Sequence, residues 1–310
     1  MRIAVVGAGG VGGYFGTRLA EAGNEVTFVA RGRHLRAVRE HGLLVRSPLG
    51  EFRAPAASFV PRIGDVDPVD VVLVAVKLWD TEEVAAQLRP LVDAGARVIS
   101  LQNGAHKDSV LRRYLPPEAV WGGVCYISAV IEEPGVVSHR GQMQKLVFGT
   151  YGDQEDAGAR NFLDACVKSG LQAEISADIA RAIWEKFVFL VGLSATTTVV
   201  RQPIGVIRRD TRTRALLRDV MAEAVAVGRT AGVNLDSGFA DDRLAFCDTL
   251  PESMTSSMHH DLDQGNRLEL PWLSGGVVDL GRELGVDTPR NRTVADILAP
   301  YTFGRPAVNG

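Results

Sequence analysis

Residues 1–13 read Met1-Arg-Ile-Ala-Val-Val-Gly7-Ala8-Gly9-Gly10-Val11-Gly12-Gly13. Residues 3–7 form a short apolar run, which predicts a buried strand, and residues 14–22 predict a helix. Between them Gly7, Gly9 and Gly12 keep the G-x-G-x-x-G spacing. In that pattern the first glycine permits the tight strand-to-helix turn. The second lets a pyrophosphate approach the backbone, and the third lets the helix pack against the strand. The helix start then offers N–H groups and a partial positive charge to the phosphates. The turn from Gly7 through Ala8, Gly9, Gly10 and Val11 to Gly12 is therefore the expected dinucleotide cradle. A glycine triplet alone is a weak signal; its place between strand and helix makes it specific.

The next strand, residues 25–31, ends Val29-Ala30-Arg31, followed by Arg33 and His34. An NAD site places a carboxylate at this strand end, to accept from the ribose 2′-OH. This chain has a guanidinium there, which suits a 2′-phosphate through charge-assisted hydrogen bonds. The expectation is NADPH/NADP+, with Arg31 on the phosphate; exposed loop charges are the alternative. Residues 43–60 alternate around Ser47-Pro-Leu-Gly50 and predict a hairpin. Asp70-Val-Val-Leu-Val-Ala-Val-Lys77 and Arg97-Val-Ile-Ser-Leu-Gln-Asn-Gly104 are near-continuous apolar runs with polar carboxyl ends. Such strands are buried on both faces of a parallel sheet, and ligands bind beyond their carboxyl ends. Lys77 and Asn103 are thus candidate ligand-binding residues, set against a surface charge and a turn asparagine. Further strands are expected at residues 120–130, 146–149 and 171–175, with a helix at 153–169.

From residue 176 the pattern is helical. Residues 177–195 carry Lys186 among Trp184, Phe187 and Phe189. Burial disfavours an ammonium and lowers its pKa, which suits a general acid near neutral pH. A snorkelling lysine is the plainer reading. Leu190 and Ser194, four and eight residues on, share its helix face. Residues 216–230 predict another helix. Ser256 and Ser257 precede a further one, and the adjacent His259 and His260 read as surface or packing residues. The fold expected is α/β: a Rossmann-type doubly wound parallel sheet over residues 1–175, then an all-α domain over 176–310.

The 310 residues suffice for two cores, and the net charge of −3 gives no argument for nucleic acid or an anionic membrane. The basic residues between Arg208 and Arg218 read as a solvated helix face. Three scattered cysteines, without C-x-x-C or H-E-x-x-H, predict no metal site and suit a reducing compartment. With a strand predicted at its start, the sequence carries the expectation of no signal or transit peptide, and no apolar run approaches the roughly 20 residues of a membrane span. A cytoplasmic protein is expected.

These marks together resemble the ketopantoate reductase (2-dehydropantoate 2-reductase) family across nearly the whole chain. They are the glycine turn, Val29-Ala-Arg31, Val74-Ala-Val-Lys77, Leu101-Gln-Asn-Gly104, Trp184-Glu-Lys186, Ser256-Ser-Met258 with Glu269, and Gly285-Val-Asp-Thr-Pro-Arg-Asn291. The resemblance implies an NADPH-dependent reduction of a 2-oxo acid, ketopantoate to (R)-pantoate. Lys186 would protonate the carbonyl oxygen and Glu269 would orient the substrate hydroxyl or a water. Ser257 and Asn103 would hold polar substrate atoms, Asn103 would also meet the cofactor, and Lys77 would lie near the nicotinamide ribose. It also implies pantothenate biosynthesis and a homodimer. The family usually carries asparagines at the positions of Leu190 and Ser194, which in this chain points to a less polar 2-oxo acid or another carbonyl substrate. Oxidation of the hydroxy acid is the reverse reading. A non-catalytic NADP-binding regulator would need the glycine turn without Lys186 and Glu269.

Overall fold

The computed structural model describes residues 1–152 and 156–306. The first elements are β1 (Arg2–Val6), α1 (Gly10–Glu21), β2 (Glu25–Val29) and α2 (Gly32–His41). A hairpin follows, β3 (Leu43–Ser47) and β4 (Gly50–Ala54), then β5 (Phe59–Val60) and β6 (Val71–Val74). Next come α3 (Thr81–Gln87), α4 (Arg89–Asp93), β7 (Arg97–Ser100) and α5 (Lys107–Tyr114). Two long strands, β8 (Val120–Glu133) and β9 (Val136–Gly149), precede α6 (Ala157–Lys168) and β10 (Gln172–Ile175). Residues 153–155, where the sequence predicts the start of α6, lie outside the described residues.

The strands form one sheet in the order β4-β3-β9-β8-β7-β6-β1-β2-β5, with β10 paired to β9. From β5 to the start of β8 all pairings are parallel, whereas β8 with β9 and β3 with β4 are antiparallel. The sheet is therefore mostly parallel, with an antiparallel extension. Its parallel strands are apolar on both faces. Ile3 and Val5 belong to one core, with Tyr14, Phe15 and Leu19 of α1. Ala4 and Val6 belong to the other, with Val84 and Leu88 from the α3–α4 segment and Leu111 of α5. Alternate side chains of a strand point to opposite faces, so helices on both sides need this pattern.

The remaining helices are α7 (Ile179–Val200), α8 (Ile204–Arg209), α9 (Thr211–Thr230), α10 (Phe239–Thr249), α11 (Ser257–Gln264), α12 (Ser274–Leu284) and α13 (Pro289–Leu298). By backbone proximity the chain divides into two compact units. One comprises residues 1–103 and 107–182; the other comprises 104–106 and 183–310. The second has its own core, built on Phe187, Val188 and Val191 of α7 and Leu217, Val220 and Met221 of α9. Among the described residues α7 alone is long and apolar enough to cross a bilayer, and 67% of its apolar window is buried inside the protein. That burial is what a core helix requires. Several basic residues of α8 and α9 are paired: Arg209 with Glu252, Arg214 with Asp248 and Arg218 with Asp241. This is a solvated, charge-balanced face.

Candidate active site

The parallel strands end level with one another. Val6 is in register with both Val29 and Val74, and Val74 with Ser100. The chain therefore leaves β1, β2, β6 and β7 at one edge of the sheet. There it delivers Gly7, Arg31, Lys77 and Asn103, residues separated by up to 96 positions in the sequence. The edge is tied by backbone bonds: the Gly7 N–H donates to the Val29 carbonyl at 3.1 Å, Ala75 to Val6 at 2.8 Å and Leu101 to Val74 at 2.8 Å.

Each glycine of the turn has its own surroundings. Gly7 has φ +104°, and a Cβ there would lie 2.8 Å from the backbone of Ala75 and Val76. A Cβ on Gly12 would stand 2.1 Å from the Gly7 carbonyl oxygen, which is the close helix–strand packing expected of the third glycine. Gly10 lies outside the three-glycine spacing, yet a Cβ there would meet the Ala129 carbonyl at 2.2 Å, because β8 backs onto the start of α1. Gly9, by contrast, faces open space, with no atom within 4 Å of a built Cβ. Helix α1 starts at Gly10, with no side-chain cap and no acid in its first turn. An uncapped, acid-free helix start beside open space fits a phosphate group.

Around this turn, Arg31 is exposed and its guanidinium is paired with the Asp80 carboxylate. The sequence offers no carboxylate at the end of β2; the fold brings one from the segment after β6. Its only local signal is that Asp80 immediately precedes a helix. Lys77 is exposed, its ammonium 5.6 Å from the centre of the Trp79 ring. His34 accepts from the Gly135 N–H at 3.2 Å through Nδ1, so it links α2 to the β8–β9 turn as a neutral imidazole. Burial lowers its pKa, opposed by the Ala8 backbone. Asn103 is half-buried at the end of the β7 segment. Its neighbour Gln102 carries no distinguishing signal in the sequence. It is buried, accepts from the Ser100 hydroxyl at 2.9 Å, and donates to the Val76 carbonyl at 3.0 Å and the Thr81 hydroxyl at 2.8 Å.

The helical unit carries the other candidates. Lys186 is half-buried on α7, beside Trp184 and Phe187, whose rings meet edge to face at 5.4 Å. Leu190 is half-buried on the same face, and Ser194 is 0% exposed, its hydroxyl without a hydrogen-bond partner among the described residues. Ser256, rather than Ser257, caps α11: its hydroxyl accepts from the His259 N–H at 3.0 Å and lies 3.2 Å from the Thr197 hydroxyl of α7. Ser257 is the exposed first residue of that helix. Glu269 is 7% exposed, just ahead of a short turn of helix at Leu270–Trp272. His259 is buried and His260 exposed. Among the described residues no cluster of His, Cys, Asp or Glu could hold a metal ion.

Two family descriptions match this chain. Ketopantoate reductase PanE/ApbA covers residues 3–153, and its C-terminal counterpart covers residues 178–302. A 2-dehydropantoate 2-reductase of Halobacterium salinarum is 32% identical, the match covering 96% of this chain and 98% of the relative. The crystal structure of a PanE/ApbA family ketopantoate reductase from Ralstonia eutropha is 31% identical, with a TM-score of 0.88, over 97% of this chain and 98% of that one. A D-mandelate dehydrogenase solved with NADH and anilino(oxo)acetate shares the fold, with a TM-score of 0.88 at 24% identity, over 97% and 98% of the two chains. The chain belongs to the ketopantoate reductase family of oxidoreductases.

Proposed function

We propose that this protein is an NADPH-dependent reductase of a 2-oxo acid, with 2-dehydropantoate to (R)-pantoate, a step of pantothenate biosynthesis, as the first reaction to test. The observation that carries this reading is the level edge of β1, β2, β6 and β7, which gathers the glycine turn, Arg31, Lys77 and Asn103. The residues fit the cofactor: Gly9 leaves room for a pyrophosphate at an uncapped helix start. When bound, NADPH supplies a hydride to the carbonyl carbon. In this reading the glycine turn holds the pyrophosphate, Arg31 meets the 2′-phosphate, and Lys77 lies toward the nicotinamide ribose. Lys186 delivers a proton to the carbonyl oxygen as negative charge develops there. Glu269 orients the substrate hydroxyl or a water, Asn103 and Ser257 hold polar substrate atoms, and Asn103 also meets the cofactor. The setting is cytoplasmic and the assembly a homodimer.

A second reading concerns the substrate. The positions four and eight residues after Lys186 present an apolar Leu190 and a Ser194 without exposed surface. Neither offers a substrate an accessible hydrogen bond. A site that lacks such partners discriminates weakly between a hydroxylated substrate and its apolar analogue. This favours a less polar 2-oxo acid.

Loss of nicotinamide absorbance on mixing protein, NADPH and either ketopantoate or 2-oxo acids lacking its hydroxyl tests both readings. Turnover only with the second group selects the second reading. Lys186→Ala should lower kcat by about 100-fold or more while NADPH affinity holds, the range seen for a positioned proton donor. Undiminished turnover in that variant removes Lys186 from its role.

A further inference from the structure

We propose that Asp80 sets the cofactor preference of this sheet edge by holding it back from strict NADPH use. The proposal rests on the reading that the edge holds a nicotinamide dinucleotide. β2 and β6 flank β1 in the sheet. Arg31 follows the first of these and Asp80 the second, and their side chains meet at 2.5 Å. The ion pair therefore bridges the two flanks of the strand that carries the glycine turn.

The two partners are not equally free to move. Arg31 is a long side chain with 66% of its surface exposed, whereas Asp80 has 17%. The backbone at Asp80 is anchored: its N–H donates to the Lys77 carbonyl at 3.0 Å. The adjoining Thr81 hydroxyl donates to the Leu78 carbonyl at 2.7 Å and accepts from Gln102. The carboxylate is thus the fixed member and the guanidinium the mobile one.

Two consequences follow for a ligand whose adenosine ribose lies by Arg31. A 2′-phosphate drawn to the guanidinium must share it with, or take it from, a carboxylate of like charge. A 2′-hydroxyl finds in the same carboxylate an acceptor of the kind that NAD sites place at the end of β2. Asp80 weakens NADPH and strengthens NADH, so both effects move the preference the same way. Its removal has one expected sign.

The test is the pair of dissociation constants for NADPH and NADH, measured by titration for the parent, Asp80→Asn and Arg31→Gln. Asp80→Asn should raise the NADPH:NADH affinity ratio about tenfold, as loss of one charge-assisted contact implies. Arg31→Gln should lower it. An unchanged or lowered ratio in Asp80→Asn overturns the proposal, since it would make Asp80 a residue that orients Arg31 for the phosphate. A parent that binds neither dinucleotide overturns the underlying reading as well, an outcome distinct from binding with an unaltered ratio. Should Asp80→Asn fail to fold, Asp80→Ser, which likewise removes the charge at the residue before α3, carries the same comparison.

Discussion

The Gln102 amide nitrogen donates to the Thr81 hydroxyl at 2.8 Å. That bond joins the residue before Asn103 to the first residue of α3. The same nitrogen reaches the carbonyl of Val76, the residue before Lys77. One buried side chain thus fixes the spacing between two proposed cofactor-binding segments. Gln102→Ala would leave the Val76 carbonyl and the Thr81 hydroxyl without this donor, a loss of about 1–3 kcal/mol. Thermal unfolding should register it. The KM for NADPH should rise while inhibition by 2′,5′-ADP, which lacks the nicotinamide half, stays at the parent level. Equal weakening of both would mean a general loss of structure and not a displaced Lys77 and Asn103.

Gly9 and Gly10 are neighbours with opposite constraints. A methyl on Gly10 would lie 2.2 Å from the Ala129 carbonyl oxygen, and backbone must move to admit it. Gly10→Ala should cost on the order of 1–3 kcal/mol in denaturant unfolding, as overpacked sites do. Gly9 sits at φ −76° with open space beyond it. Gly9→Ala should leave stability within about 1 kcal/mol of the parent, the backbone being compatible with alanine. It should nevertheless weaken NADPH binding, because the methyl would stand where the pyrophosphate approaches. Unaltered binding in Gly9→Ala would remove the phosphate from this turn.

The strands β1, β2, β6 and β7 were legible because each is an apolar run bounded by polar residues, and the hairpin of β3 and β4 because it alternates. The first half of β9 was not. Residues 136–145 are Val-Val-Ser-His-Arg-Gly-Gln-Met-Gln-Lys, too polar to read as a strand. They are strand because β8 pairs along them and β3 joins at Val136. Helix α7 runs past Ala195 through Thr196-Thr-Thr-Val-Val200, a β-branched series of low helix propensity. The Thr196 and Thr197 hydroxyls donate to the carbonyls four residues back, Gly192 at 2.8 Å and Leu193 at 2.6 Å, so burial leaves them satisfied. Helix α9 begins at Thr211 and not near Leu216, because Asp210 accepts from the Arg212 and Thr213 N–H groups and caps a polar first turn. At the candidate site, Arg31, Lys77 and Asn103 were legible as polar residues at apolar strand ends. Asp80 and Gln102 were not, since their partners lie 49 and 21–26 positions away and only the sheet register brings them together.

All three cysteines are buried, and none is in a disulfide among the described residues. Burial pushes the Cys166 thiol up to about 12, and burial together with the Asp248 charge pushes Cys247 up to about 11. At pH 8 roughly one part in a thousand or less of either is thiolate, the reactive form. The folded protein should therefore react slowly with a disulfide reagent at pH 8, and denaturant should release three thiols per chain. Rapid reaction of Cys166 or Cys247 before unfolding would contradict the packing described for their surroundings.

Asp70 closes the start of the parallel sheet. Its carboxylate accepts from the Arg2 N–H at 2.8 Å and from the Arg2 guanidinium at 3.1 Å. The Arg2 backbone bond, opposed by partial burial and aided by the guanidinium, holds this carboxyl below the usual carboxylate range. A depressed folded-state pKa means that the unfolded chain takes up the proton first as pH falls. The stabilisation is therefore complete above the ordinary aspartate value of about 3.9 and is lost as pH drops through the lower, folded one. Asp70→Asn keeps an acceptor for Arg2 but removes the charge. Its Tm should lie below the parent's at pH 7, and the gap should close as pH is taken below about 4. A gap that persists unchanged at low pH would assign the effect to altered packing at the strand end, and not to the ionised carboxylate.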